Sequence, residues 1–320
     1  MRFHIQNGIS PDQFDVTEAQ WLQAGGAAHQ VSFGRGADAF AAGCAEAEAI
    51  IVSTGVLAGL LPLQAPKLRY IFITAAGADR LAPFDWLPDG VKLINNRGTH
   101  GPKVAEFAAM ALVMLSVRMP RYVQAQREER WAPVFTPTLE GRHAVIIGTG
   151  DLGSAAAREA RRFGMRVTGV RTRAAPHPDF DAVVAVEELD SVLPEAEFLV
   201  LACPLTPQTE GLMSRRRLER LPAGASLLNI GRGPLLDQDA LCDLLDSEHL
   251  AGAILDVTTP EPPPSGHRVW HTRHLILTPH CSADSPLTYN RDSLAIFMAN
   301  LRAIDAGKAP PNLVDTRRGY

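Results

Sequence analysis

The sequence predicts an α/β protein of two domains, a doubly wound parallel sheet inserted into a smaller α/β domain, and three observations predict it. Short apolar runs alternate with helix-like stretches along most of the chain, the pattern of parallel strands joined by helical crossovers. In mid-chain, a glycine-spaced turn joins one such run to an Ala-rich helix. At 320 residues the chain is too long for one typical domain and comfortable for two.

From the start, strands are expected at Phe3–Gln6, Ala49–Ser53, Tyr70–Thr74 and Lys92–Asn95, each closing near a turn residue. Helices are expected at Asp15–Gly25 and around Ala37–Ala47, so residues 1–98 read as a small, flavodoxin-like parallel α/β domain. Lys103 to Arg118 is a strong helix former, apolar almost all round, and is expected to be buried between domains or between subunits. A charged helix over Arg121–Trp131 follows, and Pro133 and Pro137 then break the chain into a linker.

Val145 to Gly153 (VIIGTGDLG) is the most informative stretch. Gly148, Gly150 and Gly153 fall on G-x-G-x-x-G spacing between a buried strand and a helix ending at Gly164, and a second strand, Arg166–Val170, follows. Gly148 suits the tight turn, Gly150 lets a pyrophosphate approach bare backbone, and Gly153 lets helix and sheet pack closely. The N–H groups of the helix start, Asp151 and Leu152, then face the phosphates. This is the dinucleotide-binding arrangement of a Rossmann domain. Further strands are expected at Phe198–Ala202, Ser226–Ile230, Ala253–Asp256 and Leu275–Leu277, with helices at Glu187–Leu193, Ser214–Arg220 and Gln238–Asp246. The last helix, Ser285–Ala306, and the segment Asn312–Asp315 have no strand left to join there and are expected to return to the first domain.

Composition narrows the function classes. Apolar residues make up 46% and charged residues 21%, ordinary for a globular protein, and a net charge of −4 gives no reason to expect nucleic acid or anionic membrane as partner. Cys44, Cys203, Cys242 and Cys281 are scattered, with no C-x-x-C and no His at metal-ligand spacing, so reduced thiols and no metal are expected. The opening MRFHIQNGIS lacks a signal-peptide core, and the longest apolar run, Phe107–Val117, is too short to span a bilayer. A cytoplasmic protein is expected.

Three ionisable residues follow strand ends in the second domain: Arg232 in NIGRG, Glu261 in DVTTPEPPP and His280 in TPHCS. A histidine charged by a carboxylate is a general acid at neutral pH, and an arginine fork suits a carboxylate or a polarised carbonyl. With these in view, the chain from about Ile50 onward resembles the D-isomer-specific 2-hydroxyacid dehydrogenase family. KLRYIFITAAGADRL resembles its substrate-carboxylate loop, NNRGTHGPKVAEFAAMAL its interdomain helix entry, and ACPLTPQTEGLM its cofactor-side loop. LLNIGRGPLLD, GAILDVTTPEPPP and LILTPHCSADS resemble its three catalytic segments.

The resemblance implies that Arg232 orients a 2-oxo acid, that His280 is the acid/base and that Glu261 pairs with it. It implies that Asp256 holds the nicotinamide amide and that the N–H groups of Ala76 and Gly77 receive the substrate carboxylate. Pro204, Thr206, Thr209 and Ile230 join the cofactor site on the same ground. Residues 1–98 and 287–320 would form the substrate-binding domain and 99–286 the dinucleotide-binding domain, in a homodimer. A glutamate at 261 argues against the formate-oxidising branch.

NAD-specific domains carry an acid about 20 residues past the glycine loop, to accept from the ribose 2′-OH. Arg171 stands there instead, followed by Thr172 and Arg173, a set suited to a 2′-phosphate. NADP(H) is therefore expected, with NAD(H) as the weaker alternative. The reading is an NADPH-dependent reductase of small 2-oxo acids, of the glyoxylate/hydroxypyruvate reductase kind. The rivals are a phosphite dehydrogenase-like enzyme on the same scaffold and a nicotinamide-sensing, corepressor-like binding protein. Asp79 and Asp151 read as turn residues rather than catalysts, and Cys281 is not expected to act as a nucleophile. His100 and Glu106 are left unassigned, and Asp284 departs from the family pattern.

Overall fold

The computed structural model describes residues 1–6 and 8–320. In chain order its elements are β1 (Arg2–Gln6), α1 (Pro11–Gln23), β2 (Gln30–Phe33), α2 (Ala37–Glu46), β3 (Ala49–Val52), α3 (Thr54–Ala58), β4 (Tyr70–Ile73) and β5 (Lys92–Ile94). Next come α4 (Gly101–Ser116), α5 (Met119–Arg127), β6 (His143–Ile147), α6 (Asp151–Arg162), β7 (Arg166–Arg171), β8 (Ala182–Ala185) and α7 (Leu189–Val192). The remainder are β9 (Phe198–Leu201), α8 (Arg215–Leu218), β10 (Ser226–Asn229), α9 (Gln238–Asp246), β11 (Gly252–Leu255), β12 (Leu275–Leu277) and α10 (Tyr289–Asp305). These divide into two compact units, Met1–Thr99 with Ser285–Tyr320, and His100–Asp284.

The first unit is a parallel sheet in the order β2-β1-β3-β4-β5. Strand alternation splits its core in two. Ala49 and Ile51 of β3 pack with Phe3, Phe72 and the α1 and α10 side chains Phe14, Trp21 and Phe297; Ile50 and Val52 pack with Phe40, Cys44 and Leu57. Phe297 of α10 lies 5.2 Å, centroid to centroid, from both Phe3 and Phe72, so the end of the chain is built into this core. Beyond α10, Val314 N–H donates to Leu93 O and Asn95 N–H to Asn312 O. Helix α1 starts where it does because Ser10 and Gln13 close a reciprocal capping box around Pro11. Edge strand β2 was not legible in the sequence, since none of QVSF is fully buried.

The second unit is an all-parallel sheet in the order β12-β11-β10-β9-β6-β7-β8. The strand order reverses between β6 and β9, which makes the carboxyl ends there the natural ligand crevice. On one face Ala155, Ala156, Ala157 and Ala160 of α6 are fully buried against the sheet and α4. On the other, Leu189, Leu193, Leu218, Leu241 and Leu245 cover Val145, Leu199 and Leu227.

Helix α4 begins at Gly101 and buries Val104, Ala108, Ala111, Leu112 and Leu115 within its own unit. In the single chain Met110 and Val113 of this helix, and Val117 just beyond it, are exposed. Helix α5 stops at Arg127, and Trp131, expected at its end, stands outside it, 98% exposed. The last helix starts at Tyr289 rather than Ser285. Among the described residues no helix is long and apolar enough to cross a membrane, and no His, Cys, Asp and Glu cluster could hold a metal ion.

Candidate active site

The glycine loop occupies the turn from β6 to α6. Gly148 has φ +100°, and a Cβ there would lie 2.7 Å from Cys203 N, so both conformation and space demand glycine. A Cβ on Gly153 would collide with Gly148 O. Gly150 differs: its φ is −79° and a Cβ would meet nothing within 4 Å. Neither the fold nor the backbone requires glycine at 150, whereas a pyrophosphate resting on bare backbone at the start of α6 would. The loop therefore fits a dinucleotide.

At the end of β7, Arg171 and Arg173 are exposed, and no hydrogen bond or ion pair involving either side chain is found among the described residues. Nearby Arg158, Arg161 and Arg166 are all paired to carboxylates. The loop after β9 is self-supporting: Thr206 N–H donates to Thr209 Oγ1 (2.8 Å), whose hydroxyl donates to Pro204 O (2.7 Å). Ile230 extends β10 by donating to Leu201 O.

Arg232, Glu261 and His280 follow β10, β11 and β12, three neighbouring parallel strands, so the sheet delivers all three to one edge. Asn229 shapes the Arg232 turn, its Nδ2 donating to Arg232 O (2.9 Å) while its Oδ1 accepts from Gly231 N–H (3.0 Å). Arg232 donates from Nη1 to Gly231 O (2.8 Å). Gln238 at the head of α9 binds both backbone groups of Thr259, at 3.0 Å each, and so steadies the segment that carries Glu261. His280 Nδ1 then meets Glu261 Oε1 at 2.7 Å, with side chains 38% and 28% exposed. An imidazole held this way donates Nδ1–H to the carboxylate and leaves Nε2 for proton exchange.

Asp256 has a place that the sequence did not suggest. Its carboxylate is buried and accepts from Thr278 Oγ1 (2.6 Å), Cys281 N–H (2.9 Å) and Ser282 N–H (3.0 Å), while its own carbonyl accepts from His280 N–H (2.9 Å). His280 sits in the left-handed region, φ +52°, inside this clamp. Burial and the neighbouring Asp256 carboxylate push the Cys281 thiol up, which disfavours a thiolate nucleophile. His100 stands at the N-cap position of α4 without capping it by its side chain, and points Nδ1 at Asp284 Oδ1 (3.4 Å), whereas Glu106 is an exposed partner of Lys103 (2.9 Å).

In the first unit, Ala76 and Gly77 follow β4. Asn95 Nδ2 donates to Ala76 O (2.9 Å) and Asn96 N–H to Ala75 O (3.0 Å), which fixes the loop by its carbonyls. Among the described residues the N–H groups of Ala76 and Gly77 find no acceptor, so two adjacent donors remain for an anion.

Comparison with known proteins agrees with this architecture. Residues 109–282 match the model of the D-isomer specific 2-hydroxyacid dehydrogenase, NAD binding domain. A glyoxylate reductase of Korarchaeum cryptofilum is 34% identical over 263 residues, covering 78% of this chain and 77% of the relative. A D-isomer specific 2-hydroxyacid dehydrogenase of Xanthobacter autotrophicus Py2, solved with NADPH and MES, superposes with TM-score 0.81 at 31% identity, covering 100% of this chain and 99% of that one. A family member from Aeromonas salmonicida gives TM-score 0.82 at 28% identity, covering 98% and 99%. The chain is therefore an oxidoreductase that belongs to the D-isomer specific 2-hydroxyacid dehydrogenase family.

Proposed function

We propose that this protein reduces a small 2-oxo acid to the D-2-hydroxy acid with NADPH, as a glyoxylate/hydroxypyruvate reductase does. The observation that carries the reading is the 2.7 Å contact between His280 Nδ1 and Glu261 Oε1, one strand end away from Arg232. The similar archaeal protein bears the name glyoxylate reductase, which supports the substrate class. When bound, the reduced nicotinamide supplies a hydride to the α-carbon of the 2-oxo acid. His280 gives a proton from Nε2 to the carbonyl oxygen, and the Glu261 carboxylate stabilises the imidazolium until then. Arg232 orients the substrate and stabilises the charge that grows on that oxygen. The N–H groups of Ala76 and Gly77 receive the substrate carboxylate.

Gly148, Gly150, Asp151, Leu152 and Gly153 cradle the pyrophosphate in this reading. Pro204, Thr206, Thr209, Ile230 and Asp256 line the rest of the cofactor. Arg171, Thr172 and Arg173 take the 2′-phosphate; the unpaired state of both arginines supports NADP(H) over NAD(H), as does the NADPH complex of the Xanthobacter protein. The exposed Met110, Val113, Val117, Trp131 and Phe135 side chains of the second unit support a homodimer. Free thiols at Cys44, Cys203, Cys242 and Cys281 suit the cytoplasm.

The test is the initial rate of NADPH and NADH oxidation with glyoxylate, hydroxypyruvate, pyruvate, 2-oxoisocaproate and phenylpyruvate. Turnover with NADPH that vanishes in His280→Ala and shifts toward NADH in Arg171→Asp is expected. No turnover with any of these acids and either cofactor would overturn the reading.

A further inference from the structure

The loop that carries His280 is gripped at more than one point. Asp256 holds residues Thr278, Cys281 and Ser282. At the next two residues His100 takes over: its Nδ1 lies 3.2 Å from Ala283 O and 3.4 Å from Asp284 Oδ1. Both partners are acceptors, so the proton of His100 is on Nδ1 and is shared between them. His100 is buried, and Asp284 has a side chain 65% exposed. They are the first and last residues of their unit, so the contact also ties the two ends of that unit's chain.

A non-glycine residue at φ +52° persists only where its surroundings hold it. Asp256 supplies one side of that constraint, and the segment leaving His280 needs another. The His100 imidazole, and beyond it that of His280, hold the Asp284 carboxyl below the usual carboxylate range, so it is ionised at neutral pH. A hydrogen bond to so exposed a carboxylate adds little to global stability, and its effect lies in where the loop is held. We infer that Asp284 is a positioning residue, which with His100 anchors the exit of the His280 loop to the start of α4 and so sets the aim of the His280 imidazole. The inference rests on the proposed role of His280 in 2-oxo acid reduction.

The experiment is a double-mutant cycle on the full chain, with NADPH and whichever 2-oxo acid the wild type turns over. Asp284→Ala is expected to lower kcat on the order of 10-fold, the effect of a slightly misaimed proton donor, with KM and cofactor Kd little changed. Asp284→Asn keeps an acceptor for His100 and is expected to restore most of that loss. His100→Ala should match Asp284→Ala, and the double variant should be no worse than either single one. Wild-type kcat in Asp284→Ala, or losses that multiply in the double variant, would overturn the inference. Circular dichroism confirms that each variant is folded, and failure of Asp284→Ala to fold leaves the cycle to His100→Ala and its His100→Gln rescue. If the wild type turns over no 2-oxo acid, the proposed function fails separately. The inference is then read from the His280 ring signals of 15N-histidine-labelled protein. A shift in Asp284→Ala that reverts in Asp284→Asn supports it; unmoved signals overturn it.

Discussion

Replacing Asp256 by asparagine exchanges one carboxylate oxygen for an NH2 group and tests the centre of the site. Thr278 Oγ1 and Cys281 N–H, which share Oδ1 at 2.6 and 2.9 Å, would keep an acceptor in the amide oxygen and lose only charge assistance, roughly 1 kcal/mol each. The new NH2 would face the buried Ser282 N–H, now 3.0 Å from Oδ2, donor against donor. A stranded buried donor costs about 1–3 kcal/mol. The total of ~3–5 kcal/mol is large against the about 5–15 kcal/mol that separates folded from unfolded domains. Urea unfolding followed by circular dichroism should show this loss, and turnover should fall with it because the same bonds hold His280. A loss below about 1 kcal/mol, the value of one ordinary hydrogen bond, would show that the carboxylate does not hold the loop.

Three further predictions follow from the same geometry. Gly150→Ala should leave thermal stability nearly unchanged but raise the KM for NADPH, whereas Gly153→Ala should fail to fold stably, since its Cβ meets Gly148 O; equal behaviour of the two in a melting assay would refute the assignment of Gly150 to the cofactor. Burial holds the imidazoles of His4, His143 and His274 below the ordinary histidine range, helped by Arg166 at His143 and by Arg121 at His274. The unfolded chain therefore takes up protons first as pH falls below ~6.5, and stability, full above that value, declines toward the folded-state values by up to ~1.4 kcal/mol per pH unit per histidine. Calorimetry between neutral and mildly acidic pH should show a falling Tm, with a shallower slope in His143→Gln; an identical slope would refute the assignment to His143. Trp131→Ser with Phe135→Ser should shift sedimentation toward the monomer if these exposed rings form the dimer contact, and an unchanged sedimentation coefficient would remove them from it.

What could be read in the chain is local. Gly148 and Gly153 are legible because a positive φ at the one and the carbonyl of Gly148 against the other demand glycine within a single short turn. The buried central strands were legible because AIIV, HAVII and GAIL are continuous apolar runs. Arg232, Glu261 and His280 were legible as a set because parallel strands place every carboxyl end on one edge.

What the tertiary structure decided is what passes between distant segments. Edge strands β2 and β8 draw much of their pairing from a neighbour and bury too little to leave an apolar signature. Asp256 was expected to face the cofactor, yet its carboxylate also organises Thr278, Cys281 and Ser282, a role set by the pairing of β11 with β12. His100 and Asp284 lie at opposite ends of the second unit in sequence, and only the closing of that unit on itself brings their side chains within 3.4 Å. Propensity and spacing act over a turn of helix or a strand, so the sequence alone determines the buried elements and their order. Hydrogen bonds between loops depend on how sheets and helices pack, and that information is spread over the whole core.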